Sequence, residues 1–246
     1  MASLKTRTIL NRGDLIAHFD RHAAAYEEAH GDARRLLDYR LSLIRQRCRK
    51  RSGVLLEIGC GTAIHLAVLA PDFSRAIGTD ISPRMIASAR QRLPAGGHIE
   101  LRVDPAEELG SIEDSSIDIV LCVGALEHML DRARVVSQVT RVLRPGGKFV
   151  LLTPHGGYCW YTLLAPALGI ATHHLSTDRF LKRREAIELL QCAGLHLESW
   201  DYWTFIPKGD MPAWSGAALE FLDRLGRFCR LGVLRGGLIL TGVKGI

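Results

Sequence analysis

The stretch Val54-Leu-Leu-Glu-Ile-Gly-Cys-Gly-Thr-Ala-Ile-His-Leu66 decides how this chain is read. Val54 to Ile58 is almost wholly apolar, the pattern of a short strand covered on both faces. Gly59 and Gly61 follow, and two glycines so placed let the backbone turn tightly and come close to a ligand. The first N–H groups of the next helix would point at whatever sits there. Glu57 sets one carboxylate at the exit of the strand. Two other ligand-binding turns are excluded. A dinucleotide fingerprint needs a third glycine where Ile64 stands, and a phosphate loop needs Gly-Lys-Ser/Thr. On this stretch alone, a strand-to-helix turn that binds nothing is the alternative.

Downstream, a helix from Thr62 to Ala70 leads to a second buried strand, Arg75-Ala-Ile-Gly-Thr-Asp80. Asp80 stands about twenty residues beyond the glycine turn, where an acid at the end of strand two accepts ribose hydroxyls. A plain helix-capping carboxylate is the alternative. Ser82 caps and Pro83 opens a helix with Met85, Ile86 and Ala89 inward. His98 to Val103 is strand three, followed by Asp104-Pro-Ala-Glu107. A polar turn from Glu113 precedes strand four, which ends at Gly124. Then come Ala125-Leu-Glu-His-Met-Leu-Asp131, an amphipathic helix from Asp131 to Leu143, the stop Arg144-Pro-Gly-Gly147 and strand five from Lys148 to Thr153.

On the upstream side, Asp14 is expected to cap a helix carrying Leu15, Phe19, Ala23 and Tyr26 and ending at Gly31, and Asp32 to cap a second. After strand five, a loop carries His155, Tyr158, Trp160, Tyr161, Leu163 and Leu164 and runs to His173-His174. Lys182 to Ala193 is a helix and Leu195 to Ile206 strand six. Pro212 to Leu231 is an amphipathic helix that covers the sheet or, on the sharper reading, touches a membrane surface. Gly237 to Lys244 is the last strand.

Composition allows one large α/β domain: 246 residues, 47% hydrophobic and 24% charged. The net charge of +6 suits an anionic substrate, nucleic acid or a membrane surface. Six cysteines are scattered singly, so neither a zinc site nor a disulfide framework is signalled, and no metal is expected. No secretory signal or spanning segment is visible, and a cytoplasmic location is expected.

Taken together, Glu57-x-Gly59-Cys60-Gly61, Asp80, the Asp104 segment and the strand-four motif ending in Glu127-His128-x-x-Asp131 resemble the class I S-adenosylmethionine-dependent methyltransferases. Phe19-Asp-Arg-His-Ala-Ala-Ala-Tyr26 resembles the lead-in of their small-molecule branch, including enzymes of quinone and biotin biosynthesis. The resemblance implies a doubly wound, seven-stranded Rossmann-like α/β fold with its last strand antiparallel, and S-adenosylmethionine as cofactor, leaving as S-adenosylhomocysteine. It implies an N-terminal helical lid over residues 1–52 with Tyr26 near the cofactor, a cofactor-binding core over 53–153, and a substrate cap with the rest of the sheet over 154–246. It implies that Ile81 and Met85 flank adenine and ribose. It also implies that Asp104 accepts the adenine amine and that backbone groups of Cys122 and Val123 meet the methionine amine. Pro105 replaces the usual alanine and removes one N–H, leaving that of Ala106. His128 would face the pocket. Metal-using quinone enzymes carry an acid three residues before Glu-His, and here that position is Gly124.

The activity expected is methyl transfer to oxygen, nitrogen or carbon of a small, largely apolar acceptor, with His155 and His128 as candidate bases. The aromatic loop after strand five would cap that acceptor, and the arginines between 224 and 235 would hold an anionic group or a lipid surface. No nucleic-acid partner is expected, for no basic strip interleaved with aromatics is present. An RNA or protein methyltransferase and a silent cofactor-binding protein of the same fold are the alternatives.

Overall fold

A computed structural model of the chain describes residues 7–23, 33–48, 53–93, 98–169, 175–203 and 232–246. Two N-terminal helices, α1 (Arg12–His22) and α2 (Ala33–Arg47), precede the sheet. The chain then alternates β1 (Val54–Ile58), α3 (Ile64–Leu69), β2 (Arg75–Asp80), α4 (Pro83–Arg92), β3 (Ile99–Val103), β4 (Ile117–Val123), α5 (Arg132–Val142) and β5 (Leu143–Pro154). After a π-helical turn at Trp160–Leu164 and a short α6 (Ala165–Ala167) come α7 (Arg183–Cys192), β6 (Leu195–Trp203) and β7 (Gly237–Lys244).

The seven strands lie in the order β3-β2-β1-β4-β5-β7-β6. β1 to β5 are mutually parallel, and β7 runs antiparallel to both β5 and β6. This is the seven-stranded Rossmann-like sheet expected from sequence. Its order reverses between β1 and β4, so a crevice opens at the carboxyl ends of those two strands.

The apolar runs follow from burial on both faces. Leu56, Ile58 and Val120 pack with Val135, Val136 and Val139 of α5. Their neighbours Leu55, Ile119 and Leu121 pack on the other face with Leu66 and Leu69 of α3 and Leu41 and Ile44 of α2. Alternate residues therefore point to opposite layers that are both dry.

Several boundaries differ from expectation for local reasons. The cap of α1 is Asn11, whose Oδ1 accepts from Asp14 N at 3.1 Å. Asp14 returns a bond from Leu10 N at 2.9 Å, so it closes the first turn from inside the helix. α3 starts at Ile64, not Thr62, because Ala63 takes the left-handed conformation at φ 59°. β5 extends back to Leu143, which pairs with Ile117 across the Pro-Gly-Gly turn. Ser82 caps α4 and Asp131 caps α5, accepting from Met85 N and Arg134 N. Tyr26, Gly31, Asp32, His173, His174 and the expected helix over 212–231 lie outside the described residues.

Candidate active site

A cleft opens at the switch point. Its floor is the glycine turn: Gly59 at φ 62° and Gly61 at φ 52° both line it. A Cβ on Gly59 would lie 2.6 Å from the Ala125 Cβ, so only glycine lets the β1 and β4 turns approach this closely. Asp80, at the end of β2, accepts from Gly61 N at 2.9 Å with Oδ2 and from Ser82 N at 2.8 Å with Oδ1. Each oxygen keeps a further lone pair. Burial pushes the Asp80 pKa up, against the pull of those two N–H groups.

Ile81, Met85 and Ala106 line the cleft with Asp104. The Asp104 carboxylate is more heavily engaged than its sequence context suggests. Oδ1 accepts from Gly110 N at 3.1 Å, and Oδ2 from Ser111 N at 2.8 Å and Ser111 Oγ at 2.6 Å. It braces the loop after β3 with three hydrogen bonds. Glu107, also on the cleft wall, accepts from Leu130 N at 3.2 Å and ties this loop to the segment after β4.

His128 lines the opposite wall. Its Nδ1 lies 2.6 Å from Asp178 Oδ1, and the Asp178 side chain is fully buried. The second oxygen of Asp178 accepts from Leu175 N at 2.9 Å. The strap that carries Asp178 is fastened on both sides. Ser176 bonds to the backbone of Arg7 and Ile9, and Arg132 donates to the Thr177 carbonyl at 2.9 Å. The α1 helix closes the cleft from above with Leu15 and Phe19, the latter edge-on to the His128 ring at 5.6 Å. Asp20 fixes α1 in place by accepting from Ser82 Oγ at 2.5 Å and Arg84 N at 3.2 Å at the start of α4.

The other expected residues stand elsewhere. Glu57 is buried and pairs with His65, Oε1 to Nδ1 at 3.1 Å, and does not line the cleft. Cys60, Pro105, Cys122 and Val123 do not line it either, and the wall at the end of β4 is made by Gly124 and Ala125. Burial drives the thiols of Cys60 and Cys122 well above their ordinary pKa, which removes them as nucleophiles.

His155, expected as a base, is packed away from the cleft. Its Nδ1 meets the Arg235 carbonyl at 3.2 Å, its ring lies 4.8 Å from that of Tyr202, and burial lowers its pKa. The loop expected to cap an acceptor turns Leu163 and Leu164 to solvent and buries Tyr158. None of these three lines the cleft. Arg235 is fully buried, with Nη1 3.8 Å from Asp201, and presents no surface for an anion.

Sequence reasoning missed Leu15, Phe19, Glu107, Gly124, Ala125, Met129 and Asp178. Phe19 and Asp20 sat inside a quoted motif, which was the one usable signal. Asp178 carried none.

Among the described residues no cluster of ligating side chains suits a metal, and no helix is long and apolar enough to cross a membrane. The residues present do fit a nucleoside cofactor: a glycine floor without side chains, a carboxylate at the end of β2, and apolar Ile81 and Met85 beside it.

Residues 56–151 match the methyltransferase domain family model. A probable S-adenosylmethionine-dependent methyltransferase of Mycolicibacterium smegmatis is 34% identical over 152 residues, which span 62% of this chain and 54% of that protein. A ubiquinone biosynthesis O-methyltransferase of Xanthomonas euvesicatoria is 29% identical over 167 residues, spanning 65% and 69%. Among solved structures, the cyclase SpnF superposes with a TM-score of 0.69 at 19% identity, covering 98% of this chain and all of that one, a likeness of fold. The fold is the seven-stranded α/β fold of the methyltransferase type. Residues 56–151 carry a methyltransferase domain, and the chain is similar to S-adenosylmethionine-dependent methyltransferases, whose cofactor the residues of the cleft fit.

Proposed function

We propose that the protein methylates a hydroxyl group of a small, largely apolar acceptor, with His128 as the proton acceptor. The observation that carries this reading is the His128–Asp178 pair on the cleft wall, with Nδ1 and Oδ1 2.6 Å apart. When bound, S-adenosylmethionine supplies a methyl group already activated by the positive charge on its sulfur.

The chain's own work is binding, alignment and proton transfer. Asp80 offers its free lone pairs to the ribose hydroxyls. Ile81 and Met85 offer apolar surface to the base, and Gly59 and Gly61 leave room for the rest of the cofactor. With its Nδ1–H donated to Asp178, a neutral His128 keeps Nε2 as the acceptor for the proton of the reacting hydroxyl. Leu15, Phe19 and Met129 supply an apolar wall that excludes water. The Xanthomonas relative is named for O-methylation, in keeping with this choice of atom.

The experiment is to incubate the protein with methyl-labelled S-adenosylmethionine and an extract of the source cell, and then to partition the label. Recovery in the organic phase is expected. Recovery chiefly in RNA or protein would replace this reading with a macromolecular methyltransferase. Cofactor binding without any transfer would leave a silent binding protein.

A further inference from the structure

The helix that covers the cleft and the base on its wall share one fastening. The residues just ahead of α1 lie along the strap that carries Asp178. Arg7 pairs with Leu175 in an isolated parallel bridge, and the Arg7 carbonyl accepts from Ser176 N at 2.8 Å. The Ser176 hydroxyl then clasps Ile9 by both of its backbone groups, accepting from Ile9 N at 2.9 Å and donating to the Ile9 carbonyl at 3.5 Å. Ile9, Leu15 and Leu175 form a small apolar cluster of their own, on which Phe19 and Ile81 pack. That cluster joins α1, its lead-in, the strap and the cleft wall.

Two residues beyond Ser176, Asp178 is held from two directions. Toward α1, its Oδ2 accepts from Leu175 N at 2.9 Å and its N–H donates to the Leu175 carbonyl at 3.2 Å. Toward the sheet, its neighbours are fixed: the Thr177 carbonyl accepts from Arg132 Nη2 at 2.9 Å, and Arg179 N donates to the Glu127 carbonyl at 3.0 Å. The bonds toward the sheet keep the strap on the core. Those toward α1 aim the carboxylate and keep it dry, with Leu175 1% exposed and the Asp178 side chain not at all. A histidine–carboxylate hydrogen bond is stronger in such a place than in water, where it is screened.

We infer that Ser176 is a positioning residue that couples the seating of α1 to the assembly of the base. Cofactor and acceptor reach the cleft when α1 lifts and the clasp on Ile9 opens. Leu175 then loses its cover, and water reaches the Asp178 carboxylate. When α1 seats again, the clasp closes and Asp178 is aimed at His128, which keeps its Nδ1–H on Asp178 and its Nε2 free to accept. Proton removal is thereby confined to a cleft that has shut out water. Ser176 itself does not line the cleft. The inference rests on the reading of His128 as the proton acceptor.

The test uses the full chain, methyl-labelled S-adenosylmethionine at saturation and the organic extract of the source cell as acceptor pool. Ser176→Ala should lower the maximal rate about threefold to tenfold, the worth of the hydrogen bonds it removes. Adding Ile9→Ala should bring the loss to at least roughly tenfold, because the clasp then lacks its apolar anchor as well. The half-saturating amount of extract should stay within about twofold, since no acceptor contact is lost. Ser176→Thr keeps the hydroxyl and should restore the rate. In a His128→Ala background, Ser176→Ala should lower the remaining rate by less than about twofold, for a residue that acts through His128 then has nothing to position. Rates are compared well below the lowest melting temperature of the set, which sets aside misfolding.

An unchanged maximal rate in both Ser176→Ala and the combined variant overturns the inference. So does an equal loss with and without His128, which would make Ser176 a brace of the fold alone, and so does a loss that Ser176→Thr leaves in place. A His128→Ala variant with the wild-type rate removes the base itself, and this inference with it. If His128→Ala loses the rate while the clasp variants keep theirs, the base stands and this inference alone falls.

Discussion

The carboxyl ends of β1, β2 and β4 and the carboxyl end of β5 belong to the same sheet and face the same way, yet they have opposite characters. The first group is open, with Gly59, Gly61, Asp80 and Gly124 lining a cleft. The second is closed. His155, one residue beyond β5, is 5% exposed, and its N–H donates to the Gly236 carbonyl at 2.8 Å. The cause is strand direction. β7 runs antiparallel to β5 and pairs Gly237 with Pro154, so the chain feeding β7 crosses the end of β5. In a wholly parallel sheet that volume is left to loops and ligand. Here residues 232–236 fill it, and Tyr202 and Arg235 seal it. A strand end is a site only where no incoming strand occupies it.

The largest effect that could break this comparison is expected from the two histidines. His128→Ala should lower the rate of methyl transfer by roughly 10²–10⁴-fold with cofactor affinity nearly unchanged, the usual worth of a positioned general base. His155→Ala should instead cost about 2–5 kcal/mol of stability, as large-to-small core substitutions do, while the folded fraction keeps its rate. Labelled-methyl transfer and denaturant unfolding of both variants decide the matter. Loss of rate with full stability in His155→Ala would reopen the end of β5 as part of the site.

A second pair sharpens the comparison within the open group. Asp80→Ala should weaken S-adenosylmethionine binding by at least roughly tenfold, since two hydrogen bonds to a charged group are lost. Asp104→Ala should weaken it less and destabilise more, by about 1–3 kcal/mol, because Gly110 and Ser111 lose their acceptor. Calorimetry and chemical denaturation measure the two quantities. Equal affinity losses would show that Asp104 contacts the cofactor despite its three internal bonds.

The smallest effect is pH-dependent stability. Burial lowers the pKa of His155, and burial with nearby positive charge lowers that of His18 from 6.5 to about 4. In both cases the unfolded chain takes up the proton first. The His18 contribution is therefore present above pH 6.5 and is lost as pH falls from 6.5 toward about 4, and that of His155 falls in the same direction. Asp80, with its pKa raised, acts in the opposite sense. The melting temperature should decline over that window, and His18→Gln should flatten the decline. A melting curve that is level there in the wild type would mean that His18 is solvated.

The parts of the molecule legible in the sequence are those whose physics is local. β1 was readable because both its faces are covered, so no polar alternation interrupts it. The cap of α4 was readable because Ser82 and Pro83 act within one turn. β7 showed as an apolar run between glycines. The glycine floor and Asp80 could be placed because strand–turn–helix geometry fixes how far apart they lie. Local competition defeated the sequence in two places. Asn11 outbid Asp14 as the cap of α1, and Gly110 and Ser111 claimed the Asp104 carboxylate.

What the sequence by itself determined is the order of strands and helices and the place of the glycine turn. Each follows from periodicity, turn chemistry and spacing within a few dozen residues. Tertiary structure alone decided which histidine faces the cleft and that Asp178 stands behind it from fifty positions away. Those facts depend on which segments meet across the sheet, and on whether an antiparallel strand fills the space at the end of its neighbour. No residue spacing encodes such meetings, because they are settled by packing against chain that is remote in sequence.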